Sequence, residues 1–328
     1  METRVLGRTG REVGVSGLGC WQLGGDWGHV DDADALAVLH AAVDAGVTFL
    51  DTADVYGDGR SETLIGRFLR ERGREGLTVA TKAGRRADPH VPEAFTAENL
   101  RDWTDRSRRN LGVDTLDLVQ LHCPPAPVYG MDAVCDALDG LVGAGAVAAY
   151  GVSVETAQEA LTAIARPNVA TVQIILNAFR LKPLERVLPA AREAGVGIIA
   201  RVPLASGLLS GKYDESTTFS PDDHRSYNRH GEAFDVGETF SGVPFEVGVR
   251  AARQIAVLAP DGVSTAAFAL RWVVDQPGVS VVIPGARDAA QARANAAAAQ
   301  VPPLTAQQVD GVRSVYDERV REFVHDRW

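Results

Sequence analysis

Short apolar runs rich in β-branched residues alternate with longer stretches in which apolar positions recur every three to four residues. The short runs fall at 16–19, 48–51, 77–81, 116–121, 147–152, 171–175, 197–200 and 279–283, and they read as buried strands. Between them, 33–45, 61–72, 97–111, 131–143, 156–165 and 183–194 each carry one apolar face, open on polar residues and close near Gly, Asn or Pro, as capped helices do. This rhythm runs through the whole chain without a linker. It predicts one domain spanning 1–328, a (β/α)8 TIM barrel of the α/β class.

Three pieces exceed the minimal barrel. Residues 3–6 and 11–15 flank a turn containing Gly7 and Gly10 and read as an N-terminal β-hairpin that closes the barrel bottom. Residues 213–245, polar and long, form the βα connection after strand seven, read as a lid or a disordered loop and as the main candidate for a moving element. Residues 305–321 predict an extra C-terminal helix beyond the alanine-rich helix at 289–299. A doubly wound dinucleotide fold is the competing architecture. However, Gly17, Gly19 and Gly24 are mis-spaced for its glycine fingerprint, and Gly143, Gly145 and Ala148 precede a strand instead of following one.

Composition narrows the classes. The 328 residues are 45% hydrophobic and 23% charged, and no apolar run approaches the ~20 residues of a membrane span. The opening METRVLGRTGREVGV has no apolar signal segment, and Cys20, Cys123 and Cys135 lie far apart without metal-like spacing. Reduced thiols, a cytoplasmic location and no bound metal are therefore expected. The formal charge of −10 and the pI near 5.2 oppose nucleic acid and anionic membranes as partners. The cluster Arg101, Arg106, Arg108 and Arg109 sits at helical spacing and reads as a solvated face. Lysine occurs three times, as Lys82, Lys182 and Lys212, so a lysine at a strand end draws notice.

In a parallel barrel all strand C-termini open on one face, which gathers Asp51, Lys82 and His122, with Tyr56 just beyond its strand. Each alone has an ordinary structural reading as cap, core residue or satisfied imidazole. Together they form a set able to move a proton. A free phenol, with a pKa of ~10, holds its proton too tightly for efficient donation near neutrality. An ammonium at Lys82, held charged by Asp51, is expected to lower that value and make Tyr56 the general acid, with His122 donating a hydrogen bond to the same carbonyl oxygen. A metal-dependent barrel hydrolase would instead need several His and Asp at strand ends, and the HxH pair is absent.

The segments GVTFLDTADVYGDGRSETLIG, TVATKAG, LDLVQLHCP, YGVSV, ARVPLASGLLSGKY and VVIPGARDAAQARAN, in this order over nearly the whole chain, resemble the successive motifs of the aldo-keto reductase superfamily. The resemblance implies a barrel oxidoreductase that uses NADP(H) to reduce an aldehyde, a ketone or a sugar or natural-product keto group to an alcohol. Asp51, Tyr56, Lys82 and His122 then stand as its catalytic tetrad. It also implies a cofactor cleft lined by Gly19, Cys20 and Trp21 of the first strand end, by Asp51, and by Ser153 and Gln173 around the carboxamide. Arg201 occupies the position of a residue that stacks on the nicotinamide. Pro203, Leu204, Gly207, Leu209 and Gly211 match the stretch that wraps the pyrophosphate, with Lys212 as a nearby cation. Gly285, Ala286 and Arg287 match the anion-binding start of the last barrel helix, where Arg287 suits a ribose 2′-phosphate, and Gln291 and Asn295 match adenine contacts. Asp288 reads as the cap of that helix.

The chain departs from the pattern at Val154, where an asparagine often donates to the carboxamide, a contact then left to Asn177 or backbone. It departs again at Leu176, where an aromatic is common. Trp21, Trp27, Tyr56 and His122 are the candidate substrate contacts, and the loops carrying Tyr129, the 213–245 segment and the Trp328 tail set the choice among small carbonyl compounds. Two alternatives stay open: an aldose or alcohol dehydrogenase running in the oxidative direction, and a nucleotide-binding, redox-sensing partner subunit resembling potassium-channel beta subunits.

Overall fold

A strand buried on both faces has no solvent side to carry polar residues, and the barrel strands accordingly have every residue buried, except for half-buried Gly19. In the computed structural model, which describes residues 1–24 and 30–328, a hairpin of β1 (Thr3–Val5) and β2 (Glu12–Gly14) precedes the barrel strands. These are β3 (Leu18–Gly19), β4 (Phe49–Asp51), β5 (Thr78–Ala83), β6 (Leu118–His122), β7 (Tyr150–Ser153), β8 (Val169–Ile175), β9 (Gly197–Arg201) and β10 (Val279–Val282). They are parallel and pair in chain order from β3 to β10. Parallel bridges Ser16–Val282 and Gly19–Gly285 close the ring. The expected eight-stranded barrel is therefore present. Every strand differs from its predicted range by one to three residues at one edge or both; notably β5 runs on to Ala83, so that Lys82 lies inside the strand, and β7 starts at Tyr150 instead of 147.

Alternate strand residues point into the barrel. At the lower level Phe49, Ala80, Leu118, Ile199 and Val281 form one apolar cluster with Leu6 and Val13 of the hairpin. The hairpin thus plugs the bottom, as the sequence suggested. Its turn needs glycine: Gly7 has φ +50°, and a Cβ there would lie 2.0 Å from the Gly197 backbone nitrogen. Two residues further along the same strands the inward positions become Asp51, Lys82, Gln120 and Arg201, so the interior turns from hydrocarbon to polar groups toward the mouth.

The outer helices are those the periodicity marks, with sequence-coded starts: Thr96 caps Ala97–Leu111, and Thr156 with Glu159 makes a reciprocal capping box on Ala157–Ile164. Between β9 and β10 lie two more helices, Phe245–Ala256 and Thr265–Val274. The 213–245 segment is not a disordered loop. It holds a helical turn, His224–Tyr227, and buries Asp223, Asn228, Thr239, Phe240 and Ser241. The predicted C-terminal helix begins at Ala306 behind a Thr305–Gln308 capping box, passes through a π-helical turn at Tyr316–Val320 and ends at Val324. Among the described residues no helix is long and apolar enough to cross a membrane.

Candidate active site

Lys82 is 1% exposed, and a buried ammonium is costly unless paired. Its Nζ donates to Asp51 Oδ2 at 2.6 Å, to the Thr52 carbonyl at 2.9 Å and to the Tyr56 hydroxyl at 3.1 Å. All three ammonium hydrogens are thereby placed. The other Asp51 oxygen accepts from Gln173 Nε2 at 2.7 Å and from Gln120 Nε2 at 3.1 Å, and Gln173 also donates to Gln120 Oε1 at 3.1 Å. The polar layer across the barrel is thus a connected network aimed at one lysine.

Tyr56 stands on the turn that follows β4, with its ring stacked on Trp21 at 6.1 Å between centroids and edge-on to His122 at 5.9 Å. Burial pushes the Tyr56 phenol up to about 12, and the neighbouring Lys82 ammonium offsets only part of that rise. The expected net lowering is therefore not found, because the same enclosure that gives Lys82 its strength removes the water that would stabilise a phenolate. His122 is buried, and burial together with the cations Arg85, Lys82 and Arg201 holds its imidazole well below the usual histidine range. It is neutral near pH 7 and carries a single ring N–H. Its Nδ1 is enclosed without a hydrogen-bond partner.

Around this group opens a cleft of about 390 Å³. The predicted tetrad members Asp51, Tyr56 and His122 line it, as do Gly19, Cys20, Trp21, Ser153 and Gln173, while Lys82 sits behind Tyr56. From there the cleft runs past Arg201, Pro203, Leu204, Gly207 and Lys212 to Gly285, Arg287 and Gln291. Val202, Ala205 and Ser206 take φ of +52°, +48° and +53°, ahead of Gly207 at +95°. Successive N–H groups in turn backbone of this kind form anion-binding concavities. At the far end Asp288 accepts from the Gln291 amide at 2.7 Å, which makes it the helix cap foreseen. The Gln291 side chain is drawn back to the Arg287 amide at 2.8 Å, whereas the Arg287 guanidinium has no ion pair among the described residues. An elongated cleft, two cations at one end and a proton-moving group at the other fit a phosphorylated dinucleotide.

Other expectations are placed differently. Leu209 and Ala286 are buried behind the wall, Gly211 lies outside the lining, and Asn295 donates to the Gly285 carbonyl at 2.9 Å as a brace of the last turn. Asn177 cannot replace the missing carboxamide donor. Its amide donates to Val202 O at 2.9 Å and Ser241 Oγ at 2.7 Å, and it is fully buried. Tyr129 is buried with its hydroxyl donating to Ser153 O at 2.9 Å. Trp27 lies outside the described residues. Arg201 lines the cleft but is clasped between Glu238 Oε1 at 2.5 Å and Glu155 Oε2 at 3.0 Å. Cys123 converges with those two carboxylates within 4.8 Å, yet a guanidinium already engages both acids.

Sequence reasoning missed Arg85, Phe234 and Glu238, all of which line the cleft. Arg85 had a signal, standing three residues after Lys82. The others come from the distant 213–245 segment, whose path no local pattern encodes. Asp54, inside the motif that carries Asp51 and Tyr56, was also passed over. Both its carboxylate oxygens are buried without a hydrogen-bond partner, and burial reinforced by the adjacent Glu62 raises it to about 7.

The model of the Aldo/keto reductase family matches residues 17–317. The chain is 32% identical to the aldo-keto reductase YhdN of Bacillus subtilis over 301 residues, covering 90% of this chain and 87% of that protein. It is 30% identical to a probable voltage-gated potassium channel subunit beta of Oryza sativa subsp. japonica, covering 97% and 98%. The glycerol dehydrogenase structure from Gluconobacter oxydans superposes with a TM-score of 0.79 at 30% identity, over 97% of this chain and 95% of that one. A closed barrel, a lysine–aspartate pair behind a tyrosine at its mouth, and these full-length likenesses agree, and the chain belongs to the aldo/keto reductase family of oxidoreductases.

Proposed function

We propose that this chain is an NADP(H)-dependent oxidoreductase that reduces the carbonyl of a small molecule to an alcohol, with Tyr56 as proton donor. The observation that carries this reading is the 3.1 Å contact between Lys82 Nζ and the Tyr56 hydroxyl at the mouth of the cleft. The bound cofactor would supply a hydride to the carbonyl carbon. Lys212 and Arg287 would hold its phosphates, and the turn backbone at 205–207 would cradle them.

A phenol near 12 remains fully protonated at neutral pH, so the acid is always loaded. As negative charge develops on the carbonyl oxygen, Tyr56 releases its proton to it, and the Lys82 ammonium stabilises the phenolate left behind. Asp51, fixed by Gln173 and Gln120, keeps that ammonium charged and aimed. The neutral His122 imidazole donates its one N–H to the same oxygen and orients it. Trp21 covers the Tyr56 ring and keeps water from the reacting oxygen.

The first test is a fluorescence titration with NADPH and NADH, followed by absorbance decay with a panel of aldehydes and ketones. Binding of NADPH with turnover is the expected result, and Tyr56→Phe then keeps nucleotide binding while losing at least ~100-fold in carbonyl reduction. Unchanged turnover in that variant removes the assigned role. The Gluconobacter likeness to a glycerol dehydrogenase favours a second reading, alcohol oxidation through the same groups in reverse. The likeness to channel beta subunits favours a third, nucleotide binding with little turnover.

A further inference from the structure

Apart from Lys212 and Arg287 at its far end, the cations in and beside the cleft are engaged by carboxylates among the described residues, with one exception. Arg201 is held by Glu155 and Glu238, Arg225 by Asp223, and Arg86, the neighbour of Arg85, by Asp58. Arg85 is different. It lies three residues beyond Lys82, past Gly84 with φ +102°, half-buried in the wall that also contains Tyr56 and His122. Among the described residues its guanidinium makes no hydrogen bond or ion pair, and it lies 5.9 Å from the Phe234 ring centroid. The phosphate-binding end, with Lys212, Gly285 and Arg287, draws on the β9 and β10 connections. Arg85 follows β5, the strand that carries Lys82, and so belongs to a different part of the mouth.

We propose that Arg85 is the anchor for an oxyanion on the substrate, and that this chain acts on small carbonyl compounds bearing a carboxylate or a phosphate. The inference rests on the carbonyl-reducing site proposed above and names its substrate class. Arginine offers five donors and no acceptor, in a planar fork that matches two oxygens of one anion. A half-buried fork without a partner gains most from an anionic ligand, because the cleft around it is poorer in water than the surface. The Glu155 and Glu238 carboxylates face Arg85 and keep it charged, but their bonds are made to Arg201. The aromatic rings of Trp21 and Phe234, 5.8 Å apart between centroids, supply an apolar wall beside it for the carbon skeleton between anion and carbonyl.

Two matched pairs test this: 4-oxobutanoate against butanal, and glyceraldehyde 3-phosphate against glyceraldehyde, each as kcat/KM in the native chain, Arg85→Gln and Arg85→Lys. The native chain is expected to favour at least one charged member by about tenfold or more, and which pair responds separates carboxylate from phosphate. The charged-to-neutral ratio should fall about tenfold in Arg85→Gln, chiefly through KM, and be largely kept in Arg85→Lys. A ratio near one in the native chain, or an equal ratio in Arg85→Gln, overturns the assignment. Succinate and inorganic phosphate are also titrated into the NADP⁺-loaded protein by intrinsic fluorescence. Saturable binding that Arg85→Gln abolishes supports the anchor even if no carbonyl is turned over, an outcome that would sink only the reductase reading. Where no carbonyl is turned over, absence of saturable binding by either anion removes the anchor itself.

Discussion

Gln173 on β8 and Asp51 on β4, 122 positions apart in the chain, are joined across the barrel interior by a 2.7 Å hydrogen bond. The barrel thereby enforces the orientation of a carboxylate that the β4 backbone alone would leave free to turn. Gln173→Met removes this donor and also orphans Gln120 Oε1, which accepts from the same amide. A loss of about 2–4 kcal/mol in urea unfolding is expected, the cost of a charge-assisted hydrogen bond plus an unsatisfied buried acceptor. Carbonyl reduction should fall with it, since Lys82 loses its fixed counter-ion. A variant as stable and active as the native chain would show that Gln120 suffices.

Asp54 gives a pH signature. Its folded value, raised to about 7, exceeds that of an unfolded aspartate, so the folded chain keeps a proton that the unfolded chain gives up. Stability from this group is complete below pH ~4 and is lost as pH rises toward 7, by about 1.4 kcal/mol per unit. Asp54→Asn has no such proton to lose. Its stability relative to the native chain should therefore climb between pH 5 and 7 and level off above, as read by denaturant unfolding at several pH values. A difference independent of pH would contradict the raised value.

Tyr56 predicts opposite pH behaviour for the two reaction directions. Reduction needs the protonated phenol, which persists throughout the neutral range, so its rate should be flat from pH 6 to 9. Oxidation of an alcohol needs the phenolate, whose fraction grows about tenfold per pH unit below the raised value of about 12. Alcohol oxidation should therefore still be rising at pH 10. An oxidation rate that saturates near pH 7 would show that the bound state lowers the phenol far more than Lys82 does in the free chain.

Arg287 tests the nucleotide preference. Arg287→Ala should weaken NADPH by roughly 10- to 100-fold, the worth of a charge-assisted pair, and leave NADH nearly unaffected. Equal losses for both nucleotides would place Arg287 on the shared pyrophosphate and not on the ribose.

The barrel and its four mouth residues were legible because both rest on local pattern: strand runs at a fixed period, and side-chain types at their ends. What was illegible depends on residues far apart in sequence. Arg201 was read as a plane free to stack, but Glu238, delivered by the 213–245 segment, holds one side of it. Asn177 looked available as a donor until Ser241 arrived from that same segment. The direction of the Tyr56 shift depended on a balance between an ammonium visible in the motif and a loss of hydration that no motif carries. Arg85 sat in plain view, and only the folded structure shows that, unlike Arg86, it makes no ion pair among the described residues.

The two ends of the chain are not equivalent as points of attachment. Met1 packs against Gly14 and Gly46 beneath the barrel, on the side the hairpin seals. Trp328 lies under the Arg180 guanidinium at 3.6 Å, and its indole nitrogen donates to Asp235 at 3.0 Å, three residues from Glu238. A tether fused ahead of Met1 should fix the molecule to a surface with its mouth facing solution. The same tether fused behind Trp328 would pull on the segment that clasps Arg201.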